Sequence, residues 1–430
     1  MENFFSKIKE NEIINKASKT FILKIFGSLF GYIFLLVVTR NFGAESWGVF
    51  VLCLAILNIT SMLSRCGIDM ASLKYVSQYN DNLSKVKGIY TIAISFIFIF
   101  SLLMSIILFL NSQLLASYLF DKPHLADIFK TISFILIPFS ILSLNSQTLR
   151  GLKKIKVFAF LHYTARFMFA LIIFFISYYF IKIDNFNLPI YTFIISILIC
   201  MIISSYYILP ILKSKKINRL ITIKQFFNTS YPMMLSSSIL LLMAWVDTLI
   251  LGVYTSETDV GVFNVALKLA LVTSIVIESV NSIVAPKISE TYNNNLFKKF
   301  NVIVKQSTRI IFFTSLPIFI LLLIFPEFLL SFFGSDFLSA KNTLMILLVG
   351  QIFNSSCGSV GLILQMTGKQ KIVQNVLFFS LILNIVLNFI LIPKFGYKGA
   401  AIASSSSIIF WNLILVFYVK KYYKINSFII

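Results

Sequence analysis

Apolar stretches and polar gaps alternate along the whole chain. Twelve stretches stand out, at residues 20–39, 47–64, 88–110, 128–149, 157–180, 188–210, 229–253, 259–285, 303–324, 342–366, 372–392 and 399–419. Each holds about 20 residues or more, enough for a helix rising about 1.5 Å per residue to cross a hydrocarbon slab about 30 Å thick. Hydrocarbon offers no water to a bare peptide group, so a crossing segment is a helix or a strand of a closed barrel. These stretches are continuously apolar and lack the period-2 alternation of barrel strands. The pattern predicts an all-α integral membrane protein with twelve transmembrane helices.

Composition agrees: 58% of the residues are hydrophobic and 12% charged, where a soluble domain carries about 25% charged residues. Charge changes the picture more. The net charge is +21, from 37 basic and 16 acidic residues, and its distribution matters more than its size. With the N-terminus placed in the cytoplasm, 26 basic residues fall in inner segments and 7 in outer ones. The inner groups include Arg65, Lys74 and Lys85, Arg150 to Lys156, Lys213 to Lys224, and Lys420 to Lys424. Positive loops stay inside, which sets both termini in the cytoplasm of a multi-pass inner-membrane protein. There the basic loops face anionic lipid headgroups. No basic segment interleaves aromatics or carries a nucleic-acid motif, so nucleic acid is excluded as a partner.

Cys53, Cys66, Cys200 and Cys357 form no CxxC or CxxH pair, and His124 and His162 lie far apart. No disulfide framework, metal site or cofactor is expected. The first apolar stretch is longer than a signal-peptide core, and no small-residue cleavage site follows it. Residues 1–19 mix Phe4, Phe5, Ile8, Ile13 and Ile14 with charges of both signs, a pattern shared by a short interfacial helix and a frayed polar tail.

The chain is also written twice. Gly-Val-Phe occurs at 48–50 and again at 261–263. At the same offset, Lys74 maps on Lys287, and Tyr79-Asn-Asp-Asn-Leu-Ser-Lys85 aligns with Tyr292-Asn-Asn-Asn-Leu-Phe-Lys298. Gly151-Leu-Lys-Lys-Ile155 resembles Gly368-Lys-Gln-Lys-Ile372 after a short insertion. The period means six helices plus six, and an even number of spans gives both halves one orientation. The expected architecture is two parallel six-helix lobes, 1–212 and 229–430, joined by a cytoplasmic linker at 213–228. They are related by an axis along the membrane normal and enclose a central cavity.

Beyond the first turn of each stretch six charged residues lie inside: Lys24, Arg166, Asp247, Lys268, Glu278 and Arg309. Each costs about 2.5–3.5 kcal/mol on insertion scales and is expected to face the bundle interior or a wet cavity. Lys24 and Arg309 sit near the cytoplasmic ends and can snorkel; Arg166, Lys268 and Glu278 are deeper. Asp247 and Lys268 lie at similar height on neighbouring antiparallel spans, so they are expected to face one cavity, where they can pair. The excess of positive over negative charge attracts anions. Lys24, Arg40, Arg166, Lys268 and Arg309 are the candidates for contact with an anionic cargo such as a pyrophosphate or acidic sugar. Arg65 extends the same track. Asp247 and Glu278 are the candidates for ion coupling or charge pairing.

Outer loops are short, against a membrane-bound glycan polymerase or ligase, and no GxxxxGK[ST] appears, so the chain hydrolyses no nucleotide by itself. Gly27, Gly31, Gly350, Gly358 and Gly361 read as close-packing sites, and Pro138 and Pro317 as helix kinks.

Several runs carry a family likeness: Arg40-Asn-Phe-Gly-Ala-Glu-Ser-Trp-Gly48, Trp245-Val-Asp-Thr-Leu-Ile-Leu-Gly252, Gly261-Val-Phe-Asn-Val-Ala-Leu-Lys268, Ala285-Pro-Lys-Ile-Ser289 and Gly396-Tyr-Lys-Gly-Ala-Ala-Ile-Ala403. Their order and the span count resemble the O-antigen and capsule repeat-unit flippases of the multidrug/oligosaccharidyl-lipid/polysaccharide exporter superfamily, over nearly the whole chain. The resemblance implies a V-shaped pair of six-helix lobes around a cationic cavity. It also implies transfer of an undecaprenyl-pyrophosphate-linked oligosaccharide to the outer leaflet, powered by an ion gradient and set beside glycan polymerase machinery. In such families spans one, two, seven and eight line the cavity, which points to Lys24, Asp247, Lys268 and Glu278 here. The rival readings are a drug or metabolite antiporter of the same fold, which the basic cavity disfavours, the polymerase or ligase, and a passive assembly scaffold. A transporter of this kind is not an enzyme.

Overall fold

In a computed structural model the described residues are 12–213 and 222–429. Residues 1–11 of the expected interfacial segment and 214–221 of the expected linker lie outside them. The described residues are helical almost throughout, with no strand among them. In chain order the main helices are α1 (Glu12–Arg65), α2 (Ile68–Gln78), α3 (Leu83–Leu110), α4 (Leu125–Gly151), α5 (Ile155–Phe180), α6 (Leu188–Leu212), α7 (Ile223–Tyr254), α8 (Glu257–Leu271 with Ser274–Asn293), α9 (Phe297–Ile324), α10 (Ser335–Cys357 with Val360–Met366), α11 (Gln370–Phe395) and α12 (Tyr397–Tyr423).

Nine helices among the described residues are long and apolar enough to cross a membrane, or up to eleven if the bent pairs in α8 and α10 each count as one crossing. The apolar part of α1 alone runs 43 residues, Leu23–Arg65, about 65 Å of helix and twice the depth of the slab. Gly43 breaks it with φ 76° and ψ −172°, backbone angles open essentially to glycine only. Gly358 breaks α10 in the same region of backbone space, φ 69° and ψ −149°. Its expected role in close packing is thus joined by a conformational one, since a Cβ there would also lie 2.3 Å from Thr308 Oγ1. Pro138 and Pro317 lie inside continuous helices.

The chain divides into two compact units. The first holds 1–41 and 52–241, the second 42–51 and 242–430. The division therefore falls inside α7 rather than in the polar segment before it, and a ten-residue piece of α1 belongs with the second half.

In the first unit α4 is the central element, packed by α2, α3 and α6, with α5 against α6. Its buried positions are unusually polar. Ser61 and Ser64 of α1 both bond Ser140 of α4, and Tyr90 donates to Asn145 Oδ1 at 2.8 Å while Asn145 Nδ2 reaches Ser204 Oγ at 3.0 Å. Such bonds satisfy polar groups that hydrocarbon cannot.

In the second unit α12 packs on α10 and α11, and α9 on α8 and α10. The 42–51 piece crosses the first half of α8 with backbones almost touching. A Cβ added at Gly48 would stand 1.8 Å from Glu257 O, and one at Gly261 would stand 2.1 Å from Ala44 O. Positions 44 and 48 match 257 and 261 at the offset of 213 found in the sequence, so the crossing is reciprocal between repeat-related residues. Trp47 Nε1 donates to Asn264 Oδ1 at 3.1 Å beside it. Each half also ties the same two spans by side-chain bonds, Ser61–Ser140 and Arg65–Ser143 in the first, Ser274–Gln351 and Asn281–Ser359 in the second.

Candidate functional site: a basic cavity and a buried carboxylate

The first unit holds a cavity of about 350 Å³ between α1, α2, α4, α5 and α7. Two local features of the backbone create it. Cys66 and Gly67 both take positive φ, 46° and 71°, turning the chain from α1 into α2. A Cβ at Gly67 would lie 2.4 Å from Ser230 O, so glycine here lets α7 lie directly against the turn and bring Met234, Ser237 and Leu241 to the cavity wall. On the other side, residues 160–164 form a π-turn inside α5, a feature frequent at functional sites. A Cβ at Gly27 would lie 2.4 Å from Tyr163 O, and Thr164 Oγ1 donates to Leu23 O at 2.8 Å. The π-turn is thereby clamped to α1, with His162 and Arg166 lining the cavity.

The polar wall consists of Asn58, Arg65, Asp69, Ser143, Ser146, Gln147, His162, Arg166 and Ser237. Arg65 is answered: Nη1 meets Asp69 Oδ2 at 2.7 Å and also donates to Ser143 Oγ, while Nε donates to Ser61 O at 3.1 Å. Asp69 is itself buried and accepts the Met70 N–H at 3.0 Å. Arg166 is not answered by a carboxylate. Its Nη2 donates to the His162 carbonyl at 2.5 Å, and its guanidinium lies over the Phe139 ring at 5.7 Å. The wall thus carries two guanidinium groups and one carboxylate, a net positive site within the hydrophobic span.

A second polar cluster lies in the second unit. Asp247 of α7 is 6% exposed. Asn388 Nδ2 donates to its Oδ1 at 2.5 Å, and Ser404 Oγ donates to its Oδ2. Asn388 also reaches Asn384 Oδ1 at 3.2 Å, and Ser407 Oγ donates to Ser404 O at 2.8 Å. One turn of α11 (384 and 388) and one of α12 (404 and 407) therefore converge on a single carboxylate. The Asn388 Oδ1 atom is buried with no hydrogen-bond partner. Among the described residues no three His, Cys, Asp or Glu side chains gather into a metal site.

Of the residues singled out in the sequence, Arg166 reaches the cavity and Asp247 the buried cluster. Lys24 is half-buried with its ammonium over the Tyr163 ring at 5.7 Å. Arg40, Lys268, Glu278 and Arg309 are exposed. The expected Asp247–Lys268 pair does not form, because Asp247 turns to amide and hydroxyl donors on α11 and α12 instead. Sequence reasoning missed Gln147, His162, Asn384, Asn388 and Ser404. The i,i+4 spacing of Asn384 and Asn388 inside an apolar span was the one available signal.

Comparison with known proteins places this geometry in a family. The model of the family described as "Polysaccharide biosynthesis protein" matches residues 13–292, and the MatE family model matches 232–390. A Haloferax volcanii protein named "Probable low-salt glycan biosynthesis flippase Agl15" is 25% identical over 96% of this chain and 85% of its own length. A Shigella flexneri protein carrying the provisional name of O-antigen transporter is 23% identical over 88% of this chain and 90% of its own. The solved structure of the lipid II flippase MurJ, in an inward closed conformation, superposes with a TM-score of 0.75 at 18% identity, over 93% of this chain and 87% of that one; at that identity the likeness speaks for the fold. The chain belongs to the family described as polysaccharide biosynthesis protein.

Proposed function

We propose that the chain flips an undecaprenyl-pyrophosphate-linked oligosaccharide from the cytoplasmic to the outer leaflet of a bacterial inner membrane. It works as a secondary transporter, not an enzyme, beside the machinery that polymerises the glycan. Its spans number twelve, counting α1 as two crossings broken at Gly43 and each bent pair as one. They form two six-span repeats, with both termini cytoplasmic, and alternate access by rocking about the axis that relates them. The reciprocal Gly48–Gly261 crossing supports that repeat symmetry.

The observation that carries the reading is the cavity that holds two guanidinium groups and one carboxylate, the carboxylate paired with Arg65 and not with Arg166. An unanswered guanidinium in hydrocarbon is expensive to keep; a pyrophosphate headgroup supplies the missing charge through bidentate bonds. Lys24, Arg40, Lys268 and Arg309 add the wider field that draws an anionic headgroup inward. Asp247, bonded to Asn388 and Ser404, takes up the coupling proton or sodium ion, and Glu278 is the second acid available for coupling.

The test deletes the gene and measures on which leaflet the lipid-linked glycan accumulates. The reading expects a cytoplasmic build-up, relieved by the wild-type chain and not by Arg166→Ala. Normal glycan export in a deletion strain without a second flippase would refute it.

A further inference from the structure

The break in α10 leaves a carbonyl that something must answer. Its two pieces, Ser335–Cys357 and Val360–Met366, meet at 43°, and Gly358 makes the bend with φ 69° and ψ −149°. In an unbroken helix Ser356 O accepts from Val360 N–H, four residues on. At the torsions of Gly358 the chain leaves the helix and that donor is lost, and a bare carbonyl is costly within a membrane protein. The replacement comes from the segment after α12: Ile429 N–H donates to Ser356 O at 3.1 Å.

That segment is shaped to reach it. Lys424 ends α12 in the left-handed conformation, φ 55° and ψ 27°, which reverses the chain. Ile425 and Ser427 are then 2% and 1% exposed, while Lys424 and Asn426 face outward. This alternation belongs to an extended chain with one face covered. Both ends are fastened beside the short piece of α10. Tyr423 Oη bonds Thr367 Oγ1 at its foot, with the Tyr292 and Phe300 rings 5.6 and 5.4 Å from the Tyr423 ring. At the other end Phe428 lies against Phe353, centroids 5.8 Å apart, next to the Ile429–Ser356 bond. Six extended residues reach about 20 Å, and the helical rise from 356 to 367 is about 16 Å. The segment is therefore long enough to lie along the short piece from end to end.

The fit is not a finished packing. Ser427 Oγ is buried without a hydrogen-bond partner, and so is Ser355 Oγ, one residue from the bonded carbonyl. Lys424 holds a side chain where the backbone suits glycine. Each of these favours release. Gly358 for its part adopts helical torsions without steric cost. Two donors, Ile429 N–H and Val360 N–H, are thus alternatives for one carbonyl.

We infer that residues 424–429 form a releasable strap that decides whether α10 is broken or continuous. With the strap docked, Ile429 N–H holds Ser356 O and α10 bends at Gly358. With the strap released, Val360 N–H takes the same carbonyl and α10 runs straight. The change is passed to α8, because Ser359 at the break bonds Asn281 there. The inference concerns the second unit alone and stands apart from the flippase reading.

Two reporters test it in purified full-length protein in detergent, with Cys53, Cys66, Cys200 and Cys357 replaced by alanine. In one sample Ser427→Cys reports docking through its rate of reaction with a water-soluble maleimide. In another, spin labels on the exposed positions Val302→Cys of α9 and Gln365→Cys of α10 report the bend as a distance. Gln365 lies about 10 Å along the helix from Gly358, so removing a 43° bend moves it by about 8 Å. Ile429→Pro deletes the N–H and keeps an apolar side chain. It should speed labelling about tenfold, the worth of one hydrogen bond, and shift the label distance by up to about 8 Å. Ile429→Val keeps the N–H and should match wild type in both readouts. Gly358→Ala acts from the other side. A Cβ there lies 2.3 Å from Thr308 Oγ1 and meets a positive φ, so it penalises the broken form alone. It should straighten α10 and, by reciprocity, release the strap with a similar rise in labelling.

Fast labelling of Ser427→Cys in the otherwise wild-type protein would overturn the inference, since the strap would not be docked. Ile429→Pro with the wild-type label distance would overturn it too and leave the segment as packing only. So would a straight α10 in Gly358→Ala with wild-type labelling. If Gly358→Ala does not fold, Ile429→Pro against Ile429→Val decides alone.

Discussion

The crossing of Gly48 and Gly261 can be tested as a double-mutant cycle. In Gly48→Ala the new methyl meets Glu257 O at 1.8 Å, and in Gly261→Ala it meets Ala44 O at 2.1 Å. Ordinary contact begins at 3.4 Å, so the backbones must part by about 1.6 Å in the first variant and about 1.3 Å in the second. Both obstacles are backbone carbonyls, which cannot rotate aside. Each substitution is therefore expected near the top of the overpacking range of about 1–3 kcal/mol, with lost close packing between the helices included. At about 2–4 °C per kcal/mol for units of this size, each lowers the melting temperature by roughly 4–12 °C. The reciprocal geometry makes a sharper statement. A separation of about 1.6 Å forced by the first methyl already makes room for the second, so the double variant should melt within about 2 °C of the worse single. The assay is thermal unfolding of the four proteins in one detergent. Single variants that melt like wild type, or a double variant whose loss equals the sum of the singles, would refute the crossing as drawn.

Other expectations follow from the two polar sites. Arg166→Gln removes a half-buried charge that no carboxylate answers, so the melting temperature should hold or rise while glycan export stops; a marked fall in stability would reassign Arg166 to structure. Asp69→Asn leaves Arg65, whose side chain is 16% exposed, without its counter-charge and should cost about 2–4 kcal/mol, read by the same melting assay; a neutral result would mean that the pair contributes nothing net. Asp247→Asn preserves the shape of the α7–α11–α12 cluster and deletes its charge. It should fold and lose the response of flipping to imposed proton or sodium gradients, and a variant that stays coupled would exclude Asp247. Asn388→Leu takes away the N–H held 2.5 Å from Asp247 Oδ1 and should cost about 1–3 kcal/mol in stability.

The family likeness was readable because it rests on short runs of residues and on their order along the chain, both visible in the sequence. Membership of a long apolar helix was also readable: Arg166 and Asp247 were placed inside such stretches and lie in α5 and α7. Rotation about the helix axis was not. Lys268, Glu278 and Arg309 have the same in-span address as Arg166, yet they are exposed while Arg166 lines a cavity. Apolar residues surround all four in sequence, so no periodic face distinguishes them. Asp247 illustrates the same limit. It was expected at the height of Lys268, but its bonding partners came from helices more than a hundred residues away.

The sequence by itself determined that the chain is a succession of long apolar helices that cross a membrane many times. That is a property of transfer free energy summed along short segments, and each segment carries its own share. Only the tertiary structure decided where the helices break, that α7 divides between two compact units, and which charges meet which partners. Those outcomes depend on backbone torsion at Gly43, Gly67 and Gly358 and on approaches such as α7 to Gly67. Such close approaches are energies of pairs of distant segments, and hydropathy along one segment holds no record of the other.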